Sequence, residues 1–284
     1  MTDTIREINA AAISQAVSEM CVEANCLISP DIKKALTEAE RAEDSPLARQ
    51  VLQTLAANAE IAADKMIPIC QDTGLAVVFL EIGQNVHIVG GGLEEAVNAG
   101  VAKGYTEGYL RASVVGDPIE RKNTGDNTPA VIHTKIVPGD RLKVTVAPKG
   151  FGSENMSALA MLKPSQGLAA VKDFVIETVK KAGPNPCPPI IVGVGVGGTM
   201  EKCALLAKEA LLRNIDSRNP EPFWAEVEKD LLEQINALGL GPAGFGGRTS
   251  ALGVHINVYA THIAGLPVAV NIGCHVTRHS RRVL

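Results

Sequence analysis

"NPCPPIIVGVGVGG", residues 185–198, sets the fold class. The run over 189–196 is apolar and β-branched, which reads as a buried strand. A helical pattern follows over 199–213, so a strand feeds straight into a helix. That order belongs to an α/β or mixed α+β architecture. Gly193, Gly195 and Gly198 also fit G-x-G-x-x-G, and Asp216 stands near the spacing of a ribose-binding acid. A nucleotide-binding oxidoreductase using NAD is therefore one reading. Two features oppose it. Asp216 follows a helix, whereas the ribose acid should end a second strand. The prolines and cysteine of "NPCPP" have no role in a nucleotide turn. The bland alternative is that the glycines let strand and helix pack closely.

Working outward, strands are predicted at 252–262 and 266–273, with helices at 166–182 and 222–238. Upstream, "LAVVFLEIG" and "VHIVG" read as strands around a Gly-Gln-Asn turn, with a helix at about 93–113. "PAVIHTKIV" and "RLKVTVAP" read as a hairpin across Pro-Gly-Asp. The first 65 residues read as helices. Ile5, Ile8, Ile13, Val17 and Met20 fall close to helical spacing over 4–26. Ser29-Pro30 and Ser45-Pro46 look like N-caps with proline at the first helical position, opening helices at 30–42 and 46–64. The expectation is one unit over 1–284. It comprises a helical N-terminal segment at 1–65 and an α/β region at 66–284, with two β-sheet lobes flanked by helices and a site between them.

The chain has 284 residues, 46% apolar content and only 3% aromatics, so its core must be aliphatic. Net charge is −4 with both signs interspersed, which gives no footprint for nucleic acid and no membrane patch. The basic tail "RHSRR" reads as a frayed cationic terminus. "MTDTIREINAAAIS" is not a signal peptide, and no apolar run reaches spanning length. A cytoplasmic protein with reduced thiols is expected.

The six cysteines divide by surroundings. Cys21, Cys26 and Cys203 lie on helical patterns, where cysteine usually serves as a small buried hydrophobe. Cys70, Cys187 and Cys274 stand at loop junctions, in "PICQDTG", "NPCPPII" and "NIGCHVTRH". Glycine-rich turns at 89–92, 149–155, 194–198 and 244–247 could present amides to a small anion. Three converging thiolates would invite a metal. A structural zinc protein is one possibility, although zinc usually takes local cysteine pairs and none exists here. An iron–sulfur cubane on three cysteines leaves one iron open as a Lewis acid. Unrelated thiols remain the plain alternative.

"PICQDTG", "NTGDNTPA", "KGFGSEN", "NPCPPIIVGVGVGG" and "NIGCHVTRHS" resemble, in order and spacing, the class I iron–sulfur-dependent fumarate hydratases and the related L-tartrate dehydratases. The resemblance is to their α subunit and runs from about residue 45 onward. It implies a [4Fe-4S] cluster on Cys70, Cys187 and Cys274, with one iron not ligated by cysteine. It implies reversible hydration of fumarate to (S)-malate, a reaction of the tricarboxylic acid cycle, or alternatively dehydration of tartrate to oxaloacetate. Gln71 and Asp72 match substrate-contacting positions. Arg111 matches a substrate-binding arginine, with one extra residue in the intervening turn. Gly152 and Asn155 match a loop that binds a substrate carboxylate. His262, twelve residues before Cys274, matches an active-site histidine. Asp72 and His262 are the candidate proton carriers. Single-chain members continue well past the third cysteine, whereas this sequence stops at Leu284. The resemblance therefore implies a separate β subunit that supplies the base, in an α2β2 assembly.

Overall fold

The computed structural model describes residues 5–284. In chain order its elements are β1 (Arg6–Asn9), α1 (Ala10–Cys26), α2 (Pro30–Ala42), α3 (Pro46–Lys65), β2 (Leu75–Gly83), β3 (Val86–Val89), α4 (Leu93–Glu107), β4 (Val131–Val137), β5 (Leu142–Lys149), α5 (Phe151–Glu154), β6 (Ala158–Leu162), α6 (Gly167–Ala182), β7 (Ile190–Gly197), α7 (Met200–Ala210), α8 (Pro222–Ala237), β8 (Ala251–Tyr259), β9 (Leu266–Gly273) and β10 (Ser280–Val283). The mixed α/β reading holds. The chain packs as two compact units. The first comprises residues up to Ile28, Ala59–Phe151 and Arg278–Leu284; the second comprises Ser29–Asn58 and Gly152–Thr277. The N-terminal helices do not form a layer of their own. α1 packs on α4 in the first unit, and α2 packs on β8 in the second.

The first unit holds a sheet in the order β10-β5-β2-β4. β2 pairs in parallel with β4 and antiparallel with β5, so the hairpin read across Pro138-Gly139-Asp140 does not form. Burial explains the difference. β2 buries Ala76, Val77, Val78 and Leu80 and takes a central place. β4 leaves most of its residues exposed and suits an edge. Ile13, Val17 and Met20 of α1 and Val97, Val101 and Tyr105 of α4 complete this core against Val78, Leu80, Val144 and Val146.

Three more expectations change in this unit. Residues 6–9 form a strand rather than the start of a helix. β1 pairs in parallel with β3, which therefore does not pair back onto β2 across the Gly-Gln-Asn turn. The helix begins at Ala10 because the Asn9 side chain accepts the Ala11 amide at 2.8 Å, an N-cap that fixes the boundary. The basic tail is ordered. β10 pairs antiparallel with β5, and Arg282 bonds both Glu19 and Glu23 of α1, the latter at 2.8 Å.

The second unit holds a sheet in the order β6-β9-β7-β8. β7 is buried along its whole length, pairing in parallel with β8 and antiparallel with β9. β6, which no periodicity announced, pairs antiparallel with β9 at the edge. Valines of α6 and Val227, Leu231 and Ile235 of α8 pack on Val192, Val194 and Val196 of β7. α7 covers the other face. A Cβ on Gly193 would stand 2.2 Å from the Ala207 carbonyl oxygen, and one on Gly195 would stand 2.0 Å from that of Cys203. Close strand–helix packing thus accounts for these two glycines. Asp216 lies beyond α7 in a turn, far ahead of β8, and is not at a strand end. Among the described residues no helix is long and apolar enough to cross a membrane.

Candidate active site

In the first unit the candidate residues gather around loop 68–74. The Ile69 amide donates to the Asn25 carbonyl at 3.0 Å, which ties the loop to the end of α1. The Cys70 thiol donates to the Gln71 carboxamide oxygen at 3.2 Å, and its sulfur accepts the Asp72 amide at 3.4 Å. Asp72 spends both carboxylate oxygens on the main chain. Oδ1 accepts from the Gly74 amide at 3.0 Å, and Oδ2 accepts from the Phe151 amide at 2.8 Å. A carboxylate held this way closes its loop, and only its remaining lone pairs are open to a substrate. Gln71 is exposed beside Cys70.

Three consecutive carbonyls of this loop each take a buried donor. The Arg278 guanidinium donates to Asp72 O at 2.6 Å, the Tyr105 hydroxyl to Thr73 O at 2.7 Å and the Asn127 carboxamide to Gly74 O at 3.0 Å. Asn127 also accepts the amides of Ser113 and Val114. It therefore joins loop 68–74 to the segment that carries Arg111. The Thr73 hydroxyl adds a bond to Arg111 O at 3.1 Å. The main chain of Arg111 is held, its side chain is exposed, and no ion pair among the described residues occupies its guanidinium. A cavity of about 330 Å³ opens beside it, lined by Tyr105, Thr106, Tyr109, Leu110, Ala112 and Gly125. That lining carries no cation, so the cavity is not by itself a dianion site. In the sequence Asn127 stands within "NTGDNTPA" with no role marked, and Arg278 opens the basic tail. Asn127 does carry a signal, since "DNTP" is turn-forming sequence and this residue adopts φ +63°.

In the second unit Cys187 and Cys274 share one end of the sheet. β7 and β9 run antiparallel, with Ile191 opposite Gly273, so the residues before β7 meet those after β9. The His275 Nδ1–H donates to the Cys187 carbonyl at 3.0 Å. The Thr277 amide and hydroxyl both donate to the Cys274 carbonyl, at 2.9 and 2.8 Å. Cys187 is exposed and holds φ +55°, a conformation that non-glycine residues rarely adopt and that is found most often at functional sites. Gly152 and Asn155 are exposed at either end of Ser153-Glu154. Glu154 anchors this segment by accepting Lys208 Nζ at 2.6 Å and Asn271 Nδ2 at 2.7 Å, the latter three residues before Cys274.

His262 is not brought to that end. It sits in the exposed turn before β9, and eight residues of strand separate that turn from Cys274. At about 3.3 Å per residue the separation is roughly 25 Å. A gap of twelve residues filled by a strand is thus a full strand length, and within this unit His262 and Cys274 stand at opposite ends of β9. Its Nδ1 accepts the Ala264 amide at 3.1 Å.

The six cysteines are reduced thiols, and the sorting by surroundings holds: Cys21, Cys26 and Cys203 are buried, while Cys70, Cys187 and Cys274 are not. Burial pushes the Cys21 thiol up to about 12, which suits an inert core residue. Among the described residues no group of three or more His, Cys, Asp or Glu side chains is gathered to hold one metal ion, so the structural-zinc reading finds no site. An iron–sulfur cluster asks something different, one thiolate to each of three irons. The accessible thiols of Cys70, Cys187 and Cys274, each on main chain held by hydrogen bonds, fit that donor set.

The family model described as Fumarate hydratase (Fumerase) matches residues 14–283. A protein of Methanocaldococcus jannaschii that carries the provisional name L(+)-tartrate dehydratase subunit alpha is 43% identical over 279 residues, which is 94% of this chain and 96% of its own length. The L(+)-tartrate dehydratase subunit alpha of Escherichia coli K12 is 32% identical over 281 residues, covering 98% of this chain and 92% of its own. The protein of the same name from Shigella boydii matches to the same extent.

Proposed function

The chain belongs to the fumarate hydratase family as the alpha subunit of a hydro-lyase, and from that premise we propose that it dehydrates L(+)-tartrate to oxaloacetate together with a beta subunit. One observation carries the choice of substrate: the relatives that match it nearly end to end are named tartrate dehydratase alpha subunits. The fumarate reading, which the sequence favoured, becomes the second one and rests on the family's description. A partner beta subunit follows from the relatives' names. We read the assembly as α2β2 and its setting as the cytoplasm.

We assign Cys70, Cys187 and Cys274 as ligands of a [4Fe-4S] cluster. When bound, the cluster supplies an iron that acts as a Lewis acid toward the departing hydroxyl. The chain's own groups bind and orient. The exposed guanidinium of Arg111 offers two parallel donors to one substrate carboxylate. Gln71, beside Cys70, presents a carboxamide to the substrate. The segment from Gly152 to Asn155 offers amides and a carboxamide to a carboxylate. Asp72 contributes mainly by closing its loop, since both its oxygens already accept amides. The proton on carbon is left to a base on the beta subunit, and His262 stands outside the thiol-bearing end of its own sheet.

The test is kcat/KM for L-tartrate, fumarate and (S)-malate with the αβ complex, reconstituted with iron and sulfide without oxygen. Tartrate should exceed both others by at least about tenfold, roughly 1.4 kcal/mol of transition-state preference. A tenfold preference for fumarate would overturn the proposal in favour of the second reading.

A further inference from the structure

The three donors behind loop 68–74 are nearly sealed from solvent: Arg278 is 6% exposed, Tyr105 1% and Asn127 0%. Between them they cap the carbonyls of Asp72, Thr73 and Gly74, with the Tyr105 hydroxyl at 2.7 Å from Thr73 O and 3.3 Å from Gly74 O. Two of the three are neutral, and a neutral donor satisfies a carbonyl fully. Arg278 is the exception. Burying a guanidinium is expensive unless negative charge stands near it. Its bond to Asp72 O is short, at 2.6 Å, and the amide of that same residue donates to the Cys70 sulfur. The charge reaches one thiol of the same unit: burial raises the Cys26 thiol above its ordinary range, and Arg278 works against that rise. The loop itself carries one carboxylate, that of Asp72, whose oxygens accept the Gly74 and Phe151 amides. A Cys70 thiolate would add negative charge.

We propose that Arg278 is a positioning residue for the hydro-lyase site, clamping the Cys70–Gly74 loop through the Asp72 carbonyl and offsetting the negative charge that Cys70 carries as a ligand. This rests on the reading of Cys70 as a cluster ligand. Arg278 touches neither substrate nor iron; it acts through the loop. Arg278 follows Cys274 closely in sequence, and in the second unit His275, from the same short segment, bonds the Cys187 carbonyl. The segment 274–278 thus steadies main chain beside each candidate ligand.

Clamp and charge are separable. In the αβ complex, Arg278→Met removes both, Arg278→Lys keeps the charge without the fork, and Tyr105→Phe removes a neutral clamp from the adjacent carbonyl. Two readouts besides activity are taken. One is the half-life of bound iron under a chelator after anaerobic reconstitution. The other is amide exchange of residues 69–74. Arg278→Met should shorten the iron half-life at least fivefold and raise exchange across the loop. Arg278→Lys should recover the half-life to within about twofold of wild type while the loop still exchanges faster. Tyr105→Phe should raise exchange yet leave the half-life within twofold. Wild-type values of both readouts in Arg278→Met would overturn the proposal. Iron loss as fast in Tyr105→Phe as in Arg278→Met would overturn the charge role. If circular dichroism shows Arg278→Met unfolded, Arg278→Lys decides, and a half-life matching an iron-poor control sinks the charge role. If wild type itself binds no iron, the cluster reading fails, and exchange alone judges the clamp.

Discussion

The two ends of β9 are built to different standards. Past Gly273 the chain turns back at once, with Thr277 giving two hydrogen bonds to the Cys274 carbonyl and His275 reaching Cys187. Before Leu266 the chain runs through the exposed turn 260–264, held by short-range bonds at His262 and by the Thr261 hydroxyl, which donates to the Gly198 carbonyl at 2.9 Å. One end holds the main chain of both cysteines, the kind of support a proposed ligand set calls for. The other end carries an exposed histidine. Neighbours in sequence along a strand are therefore poor neighbours in chemistry when the strand spans the whole sheet.

The sharpest way to break this contrast is to remove one residue from each end. Cys274→Ser should abolish iron binding and activity in the anaerobically reconstituted αβ complex. His262→Asn should keep a full iron complement whatever it does to turnover. Elemental iron and sulfide analysis checks both, and equal iron in the two variants would erase the distinction. A second contrast is in packing. A Cβ on Gly273 would stand 2.1 Å from Thr277 Oγ1, displacing a hydroxyl already bonded to Cys274, whereas one on Gly265 meets nothing nearer than 3.7 Å. Gly273→Ala should cost about 2 kcal/mol and Gly265→Ala less than about 0.5 kcal/mol, read from urea unfolding midpoints. A smaller effect tests β8, the edge strand beside β7. His255 on β8 is 2% exposed, and neither ring nitrogen has a hydrogen-bond partner. Burial, then the Arg213 charge, pull its pKa down to about 4, against the opposing pull of Glu228 and Asp31. The folded state resists protonation, so this group's share of stability is complete above about pH 6.5 and declines as pH falls toward 4. Between pH 7 and 5.5 the loss should be about 1 kcal/mol. His255→Leu should flatten that stretch of the stability profile; an unchanged slope would show that the ring is not held neutral.

Local signals were legible where local chemistry decides. β7 and α7 were read from an apolar run and helical spacing, and the cysteines were sorted correctly by whether they sit in a helix or at a junction. Pairing was not legible. Pro138-Gly139-Asp140 looks like a hairpin turn, yet β2 outcompetes β4 for the place beside β5 because it has more apolar surface to bury. Arg278 was hidden for a similar reason. A basic residue near a terminus reads as solvated until the fold shows which carbonyl it caps. Among the candidate ligands, only their type and local setting could be seen; that His275 bonds Cys187 across 88 residues follows from the antiparallel register of β7 and β9.

The placement of β10 carries a consequence for how the molecule is made. Synthesis runs from the N-terminus, and strands β5 and β2 emerge well over a hundred residues before the strand that pairs with their sheet's outer edge. The first unit's sheet is complete only once residues 280–283 pair with β5, and until then Val144 and Val146 flank an open edge. The second unit's sheet needs nothing beyond β9 and can close earlier. Pairings so distant in sequence slow folding through loop-closure entropy. An interrupted translation product would keep an unpaired edge strand, the kind of surface that chaperones bind and that otherwise seeds aggregation.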